Sequence, residues 1–83
     1  MAKFNIHHFL NNQSQYENYT RAIIARHVIG VDNDDTFEAN TPVEIKYSCK
    51  AHNSLYGQLM PVYAVYRGDQ VFWMFAHCLK DFQ

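Results

Sequence analysis

The stretch 62–76, VYAVYRGDQVFWMFA, places the strongest constraint on how this chain can fold. Two runs of β-branched and aromatic residues flank a short polar centre that contains Gly68 and Asp69. Glycine can adopt the positive φ that a tight turn requires, and aspartate tolerates it. The stretch therefore predicts a β-hairpin with these two residues in its turn. The cross-strand pairs that follow are Tyr66 with Val71, Ala64 with Trp73, and Val62 with Phe75.

The predicted hairpin has two apolar faces, because side chains alternate along each strand. An antiparallel sheet that faces water on one side would instead show one polar face. We expect the face with the larger rings, those of Trp73 and Phe75, to pack beneath a helix. The other face then needs a cover, which is either the terminal segments or another protein chain. Its side chains are those of Tyr63, Val65, Phe72 and Met74.

Length and composition predict one small domain that spans residues 1–83. Charged residues make up 18% and aromatic residues 16%, a balance that argues against disorder. The net charge of −1 argues against direct nucleic-acid binding through phosphate contacts. Two cysteines fit a reducing compartment, and no signal-peptide pattern or membrane-length apolar run is present. These features predict a cytoplasmic protein with no membrane partner.

A helix is predicted over 15–29. Ser14 and Glu17 have the spacing of a capping box, in which each side chain bonds to a free backbone amide of the first turn. Gly30 is placed to end the helix in a left-handed conformation. The residues that recur at helical spacing and form its apolar face are Tyr16, Tyr19, Ile23 and His27.

A strand with strict alternation is predicted to begin at Pro42. Its lysines would discourage pairing at a sheet edge, so we expect it to lie nearer an edge than the hairpin does. The residues predicted to point one way are Val43, Ile45, Tyr47 and Cys49, and those predicted to point the other way are Glu44, Lys46, Ser48 and Lys50.

The remaining segments carry weaker signals. Residues 3–10 alternate as a weak strand or form a short helix, 51–60 is predicted to be a loop that ends at Pro61, and 77–83 extends the last strand or forms a tail. The fold class is therefore α+β. We expect one amphipathic helix packed on an antiparallel sheet of three to four strands, in the order (β)-α-β-β-β with a C-terminal β-hairpin.

The acidic segment 32–38 holds half of the eight acidic residues. A calcium loop counted from Asp32 would need glycine and glutamate at positions that Phe37 and Val43 occupy, so we reject that interpretation. A solvated turn is the plainer interpretation, and an acidic contact surface for a basic, nucleic-acid-handling host protein is the sharper one. The residues of that contact surface would be Asp32, Asp34, Asp35 and Glu38.

Four residues are of zinc-ligand types, but their pattern does not predict a metal site. Cys49 and His52 have C-x2-H spacing, whereas His77 and Cys78 are adjacent and would point to opposite faces of a strand. A nucleophilic cysteine also needs a histidine within hydrogen-bond reach. We therefore expect no metal, no cofactor and no catalytic residue, with both cysteines acting as small core residues.

These patterns favour a non-enzymatic protein-binding module that occludes a surface of its partner. The predicted contact residues are the four acidic residues above together with Tyr63, Val65, Phe72 and Met74. One alternative is a self-associating, homodimeric domain with a ligand-binding or zinc-binding role. A small nuclease-type toxin is a more remote alternative, and it would require Arg21, Arg26, Lys46 and Lys50 to gather on one side.

The chain is short, rich in Asn, Tyr and Phe, and poor in motifs. In this it resembles the small accessory proteins of bacteriophages and mobile elements, several of which bind and block a host defence system or a host enzyme. The resemblance implies an inhibitor of a host protein. It concerns composition only and assigns no role to any residue.

Overall fold

The structure, a computed structural model, describes residues 5–29 and 36–83. Over these ranges the chain forms two short α-helices, seven β-strands and one 3-10 turn. They are α1 (Ile6–Asn11), α2 (Gln13–Asn18), β1 (Arg21–Ile24), β2 (Val28–Ile29), β3 (Thr36–Phe37), β4 (Pro42–Asn53), β5 (Gln58–Arg67), β6 (Gln70–Phe75), the 3-10 turn (Ala76–Cys78) and β7 (Leu79–Lys80).

The strands form two antiparallel sheets. The larger sheet has five strands in the order β6-β5-β4-β1-β7, and β2 pairs with β3 in a small second sheet. The predicted α+β class is confirmed in this coarse form. Two short helices replace the single predicted helix, and the sheet has more strands than the three or four that we expected.

The helix predicted over 15–29 is wrong beyond its first turns. α2 ends at Asn18, and the chain continues as β1. β1 is hydrogen-bonded to β4 on one side and to β7 on the other, so the sheet satisfies its backbone polar groups. Ile23 and Ile24 are β-branched and suit a pleated strand, and Ile24 is completely buried. Long-range pairing therefore outweighs the helical spacing of the apolar residues.

The capping residues also differ from the prediction. Ser14 lies inside α2, and Asn12 is the N-cap residue, so the predicted capping box does not form. The segment near the start of the chain is helical, which confirms the helix alternative over the weak strand. The side chain of Asn5 caps α1 by accepting from the His8 amide at 2.9 Å. Gly30, the predicted C-cap, lies outside the described residues.

The C-terminal hairpin is confirmed in its turn and in its register. Gly68 has φ +61° and lies with Asp69 between β5 and β6. All three predicted cross-strand pairs form, with Tyr66 opposite Val71, Ala64 opposite Trp73, and Val62 opposite Phe75. A short-range turn signal was sufficient here because the turn alone fixes the register of a hairpin.

The alternating strand is confirmed as β4, but its surroundings differ from the prediction. The loop predicted over 51–60 is wrong, because β4 continues to Asn53 and only residues 54–57 form the turn. Gly57 supplies the positive φ of +69° in that turn, and Pro61 lies within β5. β4 lies between β5 and β1, so it is the central strand and not a strand near an edge.

The two faces of the hairpin are exchanged relative to our expectation. The Tyr63 face is covered within the chain by the terminal segments, through Tyr16 and Phe82, which is one of the two covers that we expected. The ring of Trp73, which we expected beneath a helix, is 37% exposed. The register gives the reason: Ile45 pairs with Val65, and Glu44 pairs with Tyr66. The apolar side of β4 thus continues one hairpin face and its charged side continues the other. The face that lies in the core, with exposures of 0–2%, is that of Tyr63, Val65, Phe72 and Met74.

The C-terminal segment is an integral part of the fold. It forms the 3-10 turn and then β7, which pairs with β1, so it is neither an extension of β6 nor a free tail. The Gln83 amide donates to the Arg21 carbonyl at 2.8 Å. The ring of Phe82 lies 5.1 Å from that of Tyr16 and 5.5 Å from that of Tyr63. This aromatic cluster covers the inner face of the sheet together with the helices.

A buried hydrogen bond joins α2 to the sheet. The Tyr63 hydroxyl donates to the main-chain carbonyl of Tyr16, and burial raises the pKa of the hydroxyl. We expect Tyr63→Phe to lower the free energy of unfolding by about 1–3 kcal/mol, because the buried carbonyl loses its donor. Tyr66→Phe removes a hydroxyl from an exposed residue and should change it by less than about 0.5 kcal/mol. Urea titrations of both variants test this, and equal effects would contradict it.

Candidate functional site

The open side of the β4–β5–β6 meander, which we call the outer face, faces away from the helices. Directly paired residues share a face of the sheet, so the register assigns its members. Its largest side chain is that of Trp73, and the Val71 side chain beside it is 39% exposed. The outer-face residues are Glu44, Lys46, Cys49 and Ala51 from β4, Met60, Val62, Ala64 and Tyr66 from β5, and Val71, Trp73 and Phe75 from β6, and of these Met60 is fully buried.

A β-bulge in β4 gives the outer face its composition. The pairing shifts between Tyr47 and Cys49, so that Cys49 lies opposite Val62. The extra residue reverses the alternation that holds from Val43 to Tyr47. Cys49 is consequently exposed on the outer face instead of buried, and Lys50 turns to the helix side, where its ammonium donates to Gln13 Oε1 at 2.8 Å. The predicted facing of both residues is therefore wrong.

An open apolar groove of about 380 Å³ lies on this part of the outer face. Two rings of the edge strand β6 form part of its lining, and the smaller side chains beyond the bulge form another part. The residues that line it are Ser48, Cys49, Ala51, Val62, Trp73 and Phe75. The concave shape suits the insertion of an apolar side chain from another molecule.

Asn53 and His77 support one end of the groove. Asn53, which is 4% exposed, accepts from the amides of Leu55 and Tyr56 through Oδ1 at 2.8 and 3.3 Å. This fixes the orientation of its amide, so that Nδ2 faces His77 Nδ1 at 3.1 Å and donates to it. The His77 ring is stacked on the ring of Phe75, with centroids 6.0 Å apart. Asn53 therefore positions a groove wall through His77.

The charge state of His77 follows from the same geometry. Its Nδ1 accepts a hydrogen bond and so carries no proton. Burial lowers the pKa of His77, and the positive charge of Arg26 lowers it further. The neutral ring is therefore the form that the fold favours.

The predicted acidic contact surface is only partly described. Asp32, Asp34 and Asp35 lie outside the described residues. Glu38 is exposed, and its Oε2 lies 3.6 Å from Nδ1 of His27. His27 does not lie on the apolar face of a helix as predicted, because it follows β1 in an irregular segment.

The four residues of zinc-ligand type are distributed over different environments. Cys49 is exposed at the groove, and His52 is exposed near the end of β4. Burial raises the pKa of the Cys78 thiol, although the Arg26 charge and hydrogen bond act in the opposite direction. Within residues 5–29 and 36–83, no three histidine, cysteine or acidic side chains gather closely enough to hold a metal ion.

The sequence does not indicate that the groove-lining residues form a site. Tyr63, Val65, Phe72 and Met74, which we predicted as partner contacts, lie in the core, and the groove is on the opposite face. The signal that would have identified this face is the charged side of β4, which shares it. Recognising that signal requires the β4–β5 register. The sequence does not indicate this register, because residues 51–60 are predicted to form a loop although most of them belong to β4 and β5.

No family model, no curated protein and no solved structure matches this chain. In the part of the chain that the structure describes, no helix is long and apolar enough to cross a membrane.

Proposed function

We propose that this chain is a non-enzymatic protein-binding module that acts by covering a surface of its partner, and that its contact surface is the outer face. The observation that carries the proposal is the apolar groove lined by Trp73 and Phe75. A contiguous apolar patch that is exposed on a folded domain commonly marks an interaction site. Tryptophan and tyrosine are also the side chains most often found as binding hot spots, and Tyr66 lies on the same face.

The charges beside the groove support a protein partner over a nucleic acid. Glu44 and Lys46 occupy neighbouring outer-face positions on β4, so the surface carries both signs. A polyanion would require a cluster of positive charge, whereas a mixed polar rim around an apolar centre is usual at protein–protein interfaces.

The chemistry of the groove supports binding over catalysis. Its lining offers the hydroxyl of Ser48 and the thiol of Cys49 as reactive groups. Nucleophilic catalysis needs a base within hydrogen-bond reach of such a group. Among the hydrogen bonds of the described residues, none joins either group to a histidine or a carboxylate.

The compositional resemblance to small phage and mobile-element proteins makes a host enzyme or a host defence complex the class of target that we propose. The acidic segment 32–38 is part of the same proposal as a second contact for a basic partner. Its one described acidic residue, Glu38, has the exposure that such a contact needs.

Replacing Trp73 by alanine should strongly reduce partner capture without preventing folding. Truncation of a tryptophan hot spot weakens binding at least about tenfold. Leu10→Ala is the matched control, because Leu10 is an exposed apolar residue in α1 and lies away from the outer face. The measurement is affinity capture with each tagged variant from the natural host, followed by mass spectrometry. Equal capture by Trp73→Ala and the wild type would contradict the proposal.

The native cysteines provide a second readout on the captured complex. Cys49 is exposed and lines the groove, whereas Cys78 is largely buried, so a thiol reagent should modify Cys49 first. A partner seated in the groove should slow Cys49 labelling at least about tenfold. Unchanged labelling of Cys49 in the complex would place the partner elsewhere.

The size of the groove favours one further candidate, the binding of a small apolar ligand. A volume of about 380 Å³ is within the usual range for ligand pockets. Trp73 is the only tryptophan in the chain, so its fluorescence reports on the groove. Saturable binding of an apolar dye that changes this emission, with no protein partner captured, would favour the ligand over the protein.

A further inference from the structure

β6 is an edge strand of the five-stranded sheet. It pairs with β5 on one side, and no strand among the described residues pairs with it on the other. An edge strand presents a row of backbone N–H and C=O groups that can pair with another chain. The backbone of β6 therefore provides an interaction surface that is separate from the groove.

The turn identifies which backbone groups point to the free edge. Gly68 has a positive φ and Asp69 does not, which is the pattern of a type II′ turn closed by a hydrogen-bonded pair, Arg67 and Gln70. Hydrogen-bonded and non-bonded pairs alternate along an antiparallel ladder. The polar groups that point away from β5 are therefore those of Val71, Trp73 and Phe75.

The next strand pair provides an independent check of this assignment. The alternation directs the polar groups of Val65 toward β6, so those of Ile45, which lies opposite Val65, must point away from β5. The Ile45 amide does donate in that direction, to the Thr20 carbonyl at 2.9 Å. The alternation therefore holds from β6 through β5 to the part of β4 that precedes the bulge.

The sequence of β6 lacks the residues that usually protect an edge strand against pairing. Its sequence, Gln70–Phe75, contains no charged residue and no proline, and it is rich in residues that favour strands. Edge strands are commonly protected by lysine, proline or a bulge. By this criterion β6 is suited to receive another strand.

We propose that β6 pairs antiparallel with β6 of a second copy of this chain, with the two Trp73 residues facing each other across a two-fold axis. In this register Val71 of each copy lies opposite Phe75 of the other. All three residues with outward-pointing polar groups are then paired, and about six backbone hydrogen bonds form. A register centred on Phe72 or Met74 leaves at least one of the three without a partner on the facing strand.

Charge favours a second copy of this chain as the partner that pairs with the free edge of β6. The two strands are uncharged, so antiparallel pairing brings no like charges together. The same register places the Asp69 turn of one copy beside the Ala76–Cys78 turn of the other. Arg26 lies at that turn, since it hydrogen-bonds the Cys78 side chain and acts on the pKa of His77. A carboxylate therefore meets a basic corner at both ends of the interface.

The expected dimer is weak, because two six-residue strands form an interface at the lower end of the usual size range. Sedimentation velocity of the full chain between roughly 1 μM and 1 mM should therefore show the mass rising from 9.8 kDa toward twice that value. A mass that stays at the monomer value throughout this range would overturn the proposal.

Val71→Pro tests the position of the interface. The Val71 N–H points outward, so proline removes a donor to the second copy without removing a hydrogen bond of the sheet. Val71→Thr is the matched control, because it replaces one methyl group of the side chain by a hydroxyl but keeps the N–H. We expect at least tenfold weaker dimerisation of Val71→Pro than of Val71→Thr, with unfolding midpoints within a few degrees. Equal dimerisation of the two variants would overturn the proposed edge.

A second pair of variants applies if Val71→Pro proves unfolded. Trp73→Lys places like charges opposite each other on the two-fold axis and should give a monomer, while Trp73→Tyr should retain the dimer. Dimerisation of Trp73→Lys as strong as that of Trp73→Tyr would overturn the proposal. The Val71 pair separates the proposed dimer from the proposed partner binding, because both variants alter the outer face and only Val71→Pro alters the backbone edge.

Discussion

Replacing Phe72 by alanine should destabilise the fold by about 3–5 kcal/mol, which is most of the stability of a domain of this size. Phe72 is fully buried. Its ring packs edge to face on that of Phe37 at 5.0 Å, and the Arg67 guanidinium lies 5.0 Å from its centroid. Alanine would leave a cavity bordered by both groups.

The neighbouring residue provides the comparison that makes this result specific. Trp73 is on the same strand and is larger, but its ring is partly exposed on the outer face. Trp73→Ala should therefore cost about 2 kcal/mol or less. Urea unfolding of both variants is the measurement. A larger loss for Trp73→Ala than for Phe72→Ala would mean that the outer face is the core.

The hairpin that carries Phe72 and Trp73 could be predicted from the sequence, but its buried face could not. The hairpin and its register follow from local chemistry, because a two-residue turn at Gly68 and Asp69 fixes every pair beyond it. Which face is buried does not follow, because both faces are apolar. That choice is made by β4, whose charged residues Glu44 and Lys46 pair with one face of the hairpin. The choice of buried face therefore depends on the β4–β5 register, which the sequence does not indicate.

The predicted helix failed for a different physical reason. Residues 15–29 have helical spacing, but the spacing of a few apolar residues also occurs in a short helix followed by a strand. The aromatic residues Tyr16 and Tyr19 do pack together with Phe82 in the core. Ile24 instead occupies a strand position that depends on β4 and β7, which are distant in sequence. Local periodicity carries no information about such partners.

The bulge explains why the groove could not be predicted. Strict alternation from Val43 places Cys49 in the core, and a single extra residue at Ser48 moves it to the outer face. No residue in this segment marks the bulge, since bulge-prone glycine is absent from 42–53. The groove therefore depends on an irregularity that only the three-dimensional structure reveals.

Replacing Asn53 by leucine should destabilise the fold by roughly 2–3 kcal/mol, because Asn53 is a buried polar residue with three hydrogen bonds. Leucine is similar in size but leaves the amides of Leu55 and Tyr56 and the Nδ1 of His77 without their partner. Urea unfolding is the measurement. A loss below about 0.5 kcal/mol would mean that water replaces all three bonds.

Replacing Asn53 by aspartate should change how stability depends on pH. In the wild type, burial and Arg26 lower the pKa of His77 below its ordinary value of 6.5. As the pH falls through 6.5, the unfolded chain therefore binds more protons than the folded chain does, and the free energy of unfolding decreases. A carboxylate at residue 53 would face Nδ1 and raise the pKa of His77. The stabilisation from this pair is then present below pH 6.5 and is lost as the pH rises through the raised pKa.

The two chains should consequently respond in opposite directions between pH 7.5 and 5.5. As the pH falls, the contribution of His77 to the free energy of unfolding decreases in the wild type and increases in Asn53→Asp, so Asn53→Asp gains stability relative to the wild type. Because His77 is partly exposed, solvent screening should keep this change below about 1 kcal/mol. Ser14→Asp adds the same charge at an exposed position in α2 and should follow the wild type. Parallel curves for Asn53→Asp and Ser14→Asp would show that the side chain of residue 53 does not bond to His77, and that the groove wall at Phe75 is held by ring stacking alone.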